Sequence, residues 1–365
     1  MTGRVIMLVD FDYFFAQVEE TRNPSIRDKP VVVCVYSGRS EDSGAVSTAN
    51  YIARKLGVKS GMPIALAKVK LQNVEAVFLP VDNVFYEEVS ERIMALLRNS
   101  ADNFEQVGID EAYLDESQKT KGSFEGVAEL AQRVKAEVEA KHNLTCSIGV
   151  GPNKLVAKIA ADIQKPDGLT IIKPEQVTVI LFPLPVDRLI GVGTKTKAKM
   201  QALRINTIGD LAKYDAQRLI EVFGKNLGLY FHNASLGIDD EPVRERGEAE
   251  SISRISTLKE DTRDLSAILE KVDGLCEEIH ADLLRSGHSF RTVGISAVMK
   301  DMSIRSRSRS FENRSSKLEV LKEAVKELFE KLLSESDLEV RRAGVKVSGL
   351  AKDEKSQRQL TSFIE

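Results

Sequence analysis

Tryptophan is absent from the 365 residues, and cysteine and histidine are scarce, at three and four. Cys34, Cys146 and Cys276 lie far apart with no CxxC pair, and His142, His232, His280 and His288 show no zinc-ligand spacing. Neither a disulfide frame nor a zinc site is indicated. Long apolar runs are also missing. The longest early one, Val5 to Val9, is far shorter than a signal-peptide core or a membrane span and ends at Asp10. The expected location is therefore the cytoplasm, with no membrane partner. An excess of one charge is lacking too: the formal net charge is −3. That gives no overall basic footprint of the kind that marks nucleic-acid binders, so the distribution of charge has to carry any such role.

What is present is an ordinary globular composition, 42% apolar and 29% charged, in a chain long enough for two to four compact units at roughly 100 to 150 residues each. Buried-strand patterns at Arg4 to Val9 and Pro30 to Val35 alternate with helix-like stretches at Tyr13 to Glu20 and Ala49 to Leu56, and a turn-rich SGRSEDSG lies at Ser37 to Gly44. A strand near Ala76 to Leu79 and a helix from about Asn83 to Asn99 follow. Two short strands then flank Asp110-Glu111, and helix, strand and helix complete a mixed α/β unit. Short helices separated by glycines run to Asn233. Ile238 to Glu250, charged and without apolar periodicity, reads as a linker. Beyond it the order strand, helix, strand, strand, helix, strand gives a βαββαβ domain, and a mostly polar tail closes the chain.

Asp10 stands at the end of an apolar strand, where a carboxylate either has a purpose or carries a cost. Asp12 follows two positions later. Asp110 and Glu111 are adjacent and would point to opposite faces of a regular strand, but a turn at that point lets both aim at one ion. Taken alone, an Asp-Glu pair is more often a solvated loop feature. Three converging carboxylates suit Mg²⁺, which takes one or two protein carboxylates and fills its remaining positions with water and substrate phosphates. A pair of such ions about 3.5 to 4 Å apart stabilises the attacking and leaving oxygens of phosphoryl displacement.

Four stretches, VDFDYFFAQVEE (Val9 to Glu20), STANYIARKLGVKSGMP (Ser47 to Pro63), GIDEAYLD (Gly108 to Asp115) and SIGVGPNKLVAKIAADIQKPDG (Ser147 to Gly168), together resemble the Y-family, DinB-type translesion DNA polymerases. The resemblance implies an α+β multidomain, right-hand fold. It implies a palm at 1–10 and 78–166, fingers at 11–77, a helical thumb at 167–233, a linker at 234–246, a little finger at 247–350 and a tail at 351–365. It assigns two Mg²⁺ ions, with Mn²⁺ as a substitute, to Asp10, Asp110, Glu111 and the backbone carbonyl of Phe11. The implied activity is low-fidelity, template-directed DNA synthesis past damaged bases by a monomer, on primer-template DNA with deoxynucleoside triphosphates.

Tyr51 and Arg54, at i and i+3 of one helix, share a face. The resemblance makes their ligand the triphosphate, with Lys165 adding a point charge, because an arginine fork matches phosphate oxygens. Phe15 matches the steric gate that excludes a ribose 2′-OH. Val35, Ala45, Ser47 and Gly61 match the small cover over the nascent base pair, and a loose pocket discriminates weakly. Gly191 and Gly193, with Lys195 just beyond, resemble a helix–hairpin–helix turn whose backbone N–H groups face a phosphate. Arg305, Arg307 and Arg309 share one face of a strand and form a ladder suited to a phosphate backbone, with Arg341, Arg342 and Lys346 extending it; a plainly solvated face is the alternative. Gln357, Leu360, Phe363 and Ile364 fit the spacing of peptides that dock on sliding clamps. A nucleotidyl cyclase also places carboxylates around two metals, and a silent DNA-binding scaffold would keep the fold. The first has no need of a hairpin or an arginine ladder, and the second has no need of intact carboxylates.

Overall fold

The computed structural model describes residues 3–245 and 247–352. The tail peptide Gln357, Leu360, Phe363 and Ile364 lies outside them. The described chain forms two units, one of residues 3–34, 46–62 and 67–245, the other of residues 247–352 with Val35–Ala45 and Pro63–Leu66.

The first unit is built around β1 (Ile6–Phe11), every residue of which is buried. Chain order continues with α1 (Phe14–Arg22), β2 (Val31–Tyr36), β3 (Gly44–Ala49), α2 (Tyr51–Lys55), α3 (Ile64–Leu71), β4 (Val77–Pro80), α4 (Asn83–Ser100), β5 (Asn103–Gln106), β6 (Glu111–Asp115), α5 (Phe124–His142), β7 (Cys146–Gly151), α6 (Lys154–Ile163) and β8 (Leu169–Ile171). The main sheet has the order β5-β6-β1-β7-β8, and β1 runs antiparallel to both neighbours. A second, three-stranded sheet has the order β3-β2-β4; β3 and α3 are elements the sequence pattern does not announce.

Period-two alternation explains how β1 sorts its side chains. Met7, Val9 and Phe11 enter the core packed by Val89, Ile93 and Leu97 of α4 and by Val127, Ala131, Val134 and Val138 of α5. Ile6 and Leu8 enter the opposite core, against Ala157 and Ala161 of α6. Each such fully buried side chain contributes about 1.5–3 kcal/mol. Asp10 has the parity of Ile6 and Leu8 and so emerges on the α6 side. Helix α6 starts where Asn153 accepts from the Val156 N–H at 2.9 Å. It lies tight on β7 because Gly149 has no side chain: a Cβ there would be 2.1 Å from the Ala157 carbonyl oxygen.

A helical region follows, with α7 (Val177–Leu181), α8 (Thr194–Ala202), α9 (Ile208–Ala212), α10 (Ala216–Phe223) and α11 (Lys225–Ser235). Its core of Leu181, Leu189, Met200, Leu211, Leu219 and Phe231 is continuous with Leu155 and Ile159 of α6. The segment read as a linker is not loose. Val243 is buried among Ile6, Leu8 and Tyr113, and Glu241 accepts from the Lys154 ammonium at 3.0 Å.

The second unit contains β9 (Ser251–Thr262), α12 (Leu265–Ser286), β10 (His288–Met299), β11 (Ile304–Ser315), α13 (Leu318–Ser334), β12 (Val340–Ser348) and β13 (Ala351–Lys352), with the main strands in the order β11-β10-β12-β9. This is the expected βαββαβ sequence. Val293, Ile295, Ala297, Val345 and Val347 pack against the apolar stripes of α12 and α13; the opposite face is a shallow groove lined by Ser253, Gly294, Ser296, Ser306, Ser308 and Lys346. Among the described residues no helix is long and apolar enough to cross a membrane.

Candidate active site

Asp10 is directly opposite Glu111 in the β1–β6 pairing, and the Phe11 N–H donates to the Asp110 carbonyl at 2.9 Å. Strand register thus brings together acids a hundred positions apart. From α6, the Lys158 ammonium reaches the same place, 2.8 Å from Asp10 Oδ2 and 2.5 Å from Glu111 Oε2. Lys165 lies 2.7 Å from Asp10 Oδ1 and 3.1 Å from Asp162. Burial alone would lower both lysines, yet the surrounding carboxylates hold them above their usual range. Asp110 is pushed up to about 6 by burial, then by the charges of Asp10 and Glu111.

Asp12 does different work. It is fully enclosed, accepting from Ser147 Oγ at 2.8 Å, Thr145 Oγ1 at 3.1 Å and the Asp167 N–H at 2.8 Å. It ties β1 to β7 and to the turn before β8.

These residues fit a divalent cation. The donors are hard carboxylate oxygens, the charges of Asp10 and Glu111 add to burial in disfavouring ionisation of Asp110, and ammonium groups already stand against Asp10 and Glu111. Among the described residues, however, no three acid, histidine or cysteine side chains are gathered closely enough to hold an ion as they stand. The three-carboxylate convergence expected from sequence is, in this structure, a two-carboxylate pair bridged by Lys158 with Asp110 alongside.

Asp10 and Asp110, but not Glu111, line a cavity of about 240 Å³ with Phe11, Phe15, Ser47, Tyr51, Arg54 and Lys165, together with Asp12, Tyr13, Phe14, Thr48 and Ser60. Phe15 is stacked on Tyr86, centroids 4.4 Å apart. The Arg54 guanidinium lies 5.0 Å from the Tyr51 ring centroid, and its Nε donates to the Ala49 carbonyl at 2.8 Å. Of the four small cover positions, Ser47 lines the cavity. Val35, Ala45 and Gly61 do not: Val35 is half exposed, Ala45 bridges to Pro63, and the Gly61 N–H donates to the Val46 carbonyl at 2.8 Å.

The glycine hairpin is formed as the sequence suggests. Leu189 and Val192 are buried anchors, Gly191 takes φ +84°, and Gly193 caps α8, which carries Lys195. The arginine row shares a face, but strand pairing sets which one. Arg305, Arg307 and Arg309 oppose Ala297, Ile295 and Val293, the core-facing residues of β10. Arg307 accordingly pairs with Glu335 and Arg309 with Glu327 on the helix side. Arg341 lies 3.5 Å from Asp261, while Arg342 and Lys346 are exposed and oppose Val298 and Gly294 of β10.

Lys158 is a residue at this site that sequence reasoning overlooked. Its signal was available, as the single charge within the run LVAKIAA of α6.

Residues 9–162 match the impB/mucB/samB family, residues 249–362 that family's C-terminal domain, and residues 187–239 the DNA polymerase-iota thumb domain. A DNA polymerase IV of Nitrosopumilus maritimus is 44% identical over 365 residues, with 100% of each chain covered. A solved Y-family DNA polymerase chimera of Dbh and Dpo4 segments aligns with a TM-score of 0.90 at 38% identity, over 96% of this chain and 100% of that one. An insertion ternary complex of Dbh DNA polymerase aligns with a TM-score of 0.69, also at 38% identity and with the same coverage. The chain belongs to the Y-family of DNA polymerases, with the palm, fingers, thumb and little finger of that fold. It is a DNA-directed DNA polymerase of the DNA polymerase IV type.

Proposed function

We propose that this polymerase extends primers past damaged template bases, with low fidelity, by metal-assisted nucleotidyl transfer. The observation that carries the reading is a cavity lined by Asp10 and Asp110 together with Phe15, Tyr51, Arg54 and Lys165, with Glu111 paired to Asp10 across the adjacent strand.

Asp10, Asp110, Glu111 and the Phe11 carbonyl are the groups that would hold two Mg²⁺ ions, or Mn²⁺. Such ions supply charge stabilisation to the attacking and leaving oxygens. The rest falls to the chain. Arg54, braced by Tyr51 and the Ala49 carbonyl, keeps its terminal nitrogens for phosphate oxygens. Lys165 exchanges a carboxylate for a phosphate partner. Phe15, held by Tyr86, sets the floor under the sugar. Ser47, the small cover residue lining the cavity, leaves room instead of enforcing shape, which limits discrimination to a few kcal/mol. Primer-template DNA would be held at the Gly191 to Gly193 hairpin with Lys195 and on the C-terminal sheet. The solved insertion ternary complex of Dbh DNA polymerase supports a nucleic-acid and nucleotide substrate. A cyclase would need neither surface.

Gln357, Leu360, Phe363 and Ile364 would tether the enzyme to a sliding clamp, raising the effective concentration at primer ends. Clamp stimulation that survives Phe363→Ala with Ile364→Ala would remove that partner. The test of the main reading is primer extension with Mg²⁺ on undamaged and abasic templates. Extension on both is expected. No extension on the undamaged template contradicts the mechanism, and arrest at the lesion contradicts the bypass role.

A further inference from the structure

Helix α2, which carries Tyr51 and Arg54, has only five residues. A helix that short has little stability of its own, so its placement depends on what holds its ends. Its N-cap is Asn50, which is 2% exposed. All four hydrogen-bonding positions of the Asn50 amide are used. Oδ1 accepts from the Ala53 N–H at 3.0 Å and the Val31 N–H at 3.1 Å. Nδ2 donates to the Lys29 carbonyl at 2.8 Å and to Glu20 Oε1 at 2.8 Å. That is the full complement of the side chain, so its orientation is fixed.

Glu20, on α1, is 6% exposed, and its second oxygen accepts from the Tyr13 hydroxyl at 3.2 Å. Tyr13 has φ 37°, a left-handed conformation that a tyrosine rarely adopts and that the surroundings must enforce. Its ring meets Tyr51 edge to face, centroids 5.3 Å apart at 88°, and Tyr51 in turn carries the Arg54 guanidinium. A closed circuit therefore runs from Glu20 through Asn50 to the start of α2, and from Glu20 through Tyr13 to the ring of Tyr51.

We infer that Glu20 and Asn50 are positioning residues, a buried pair that fixes Tyr51 and Arg54 at the spacing needed to grip a nucleoside triphosphate. This rests on the reading that Tyr51 and Arg54 bind the triphosphate. The pair touches no substrate and acts through the two residues it aims.

Single-turnover incorporation at varied nucleotide concentration separates nucleotide Kd from the maximal rate. Arg54→Ala should raise Kd. Asn50→Asp, which keeps the cap acceptor but sets a carboxylate against Glu20 and the Lys29 carbonyl, should raise Kd about tenfold, the size of one mismatched buried polar contact, with a smaller change in rate. Adding Glu20→Gln restores a donor opposite the new carboxylate and should bring Kd back to within about threefold of the parent. Asn50→Ser keeps the cap and loses the link to Glu20; it should also raise Kd, and it decides the matter if Asn50→Asp does not fold. An unchanged Kd in Arg54→Ala overturns the triphosphate reading and this inference with it. A raised Kd there, beside parental values in the folded Asn50 variants, overturns this inference alone. A double variant no better than Asn50→Asp assigns the effect to the cap and also overturns it.

Discussion

The carboxylates of Asp10 and Glu111, paired across adjacent strands, share one ammonium group, Lys158 Nζ, at 2.8 and 2.5 Å. In the metal-free enzyme this lysine offsets the repulsion that the strand register creates. Lys158→Ala should lower the melting temperature in EDTA, and added Mg²⁺ should recover more of the loss in the variant than in the parent. Equal melting temperatures in EDTA would show that Lys158 does not hold the cluster together.

Glu116 is fully buried, and among the described residues neither carboxylate oxygen has a hydrogen-bond partner. Burial pushes it up to about 8, with Lys119 opposing and Asp102 and Asp115 adding to the rise. A carboxyl raised in the folded state binds more protons there than in the unfolded chain, so stability falls as pH rises from the ordinary carboxylate range toward 8. Glu116→Gln should flatten that decline. Its melting temperature should exceed the parent's by on the order of 5 °C at pH 8.5, with little difference at pH 4.5. A constant difference at both pH values would rule out ionisation of Glu116 as the cause.

Phe15 lines the cavity and is stacked on Tyr86. Phe15→Ala opens space beneath the sugar and removes no carboxylate, so ribonucleotide incorporation should rise while metal dependence stays as in the parent. Unchanged discrimination between ribo- and deoxynucleotides would place the sugar gate elsewhere.

On the C-terminal sheet, Arg342 and Lys346 are exposed, whereas Arg307 and Arg309 are engaged by Glu335 and Glu327. Arg342→Ala and Lys346→Ala should each reduce the slope of log K for DNA against log salt by about 0.9, and Arg307→Ala and Arg309→Ala by less. A full loss of slope from the arginine row with none from Arg342 and Lys346 would reverse this assignment.

The acids were legible in the sequence because a buried run ending in Asp10 and a strand starting at Glu111 are local patterns. Their meeting was expected from the family resemblance, but that Asp10 lies directly opposite Glu111 and shares Lys158 with it was not legible, since that depends on the β1–β6 register and on α6. The arginine row shows the same limit. Alternation says that Arg305, Arg307 and Arg309 share a face, but Val293, Ile295 and Ala297 on the neighbouring strand determine that it is the helix side. Lys158 reaches Asp10 and Glu111, and Glu20 reaches Asn50, across 30 or more positions, a separation that periodicity does not encode. The segment Ile238 to Glu250 packs more closely than its composition suggests for a related reason: Val243, with no apolar periodicity around it, is buried beside Ile6 and Leu8.

The most direct test compares Asp10→Ala and Glu111→Ala with the parent in primer extension with Mg²⁺, alongside primer-template binding by the same preparations. If the paired carboxylates hold the ions and not the duplex, both variants lose nucleotide addition by at least about a thousandfold while DNA affinity stays near the parental value. Near-parental extension by either folded variant would contradict the account.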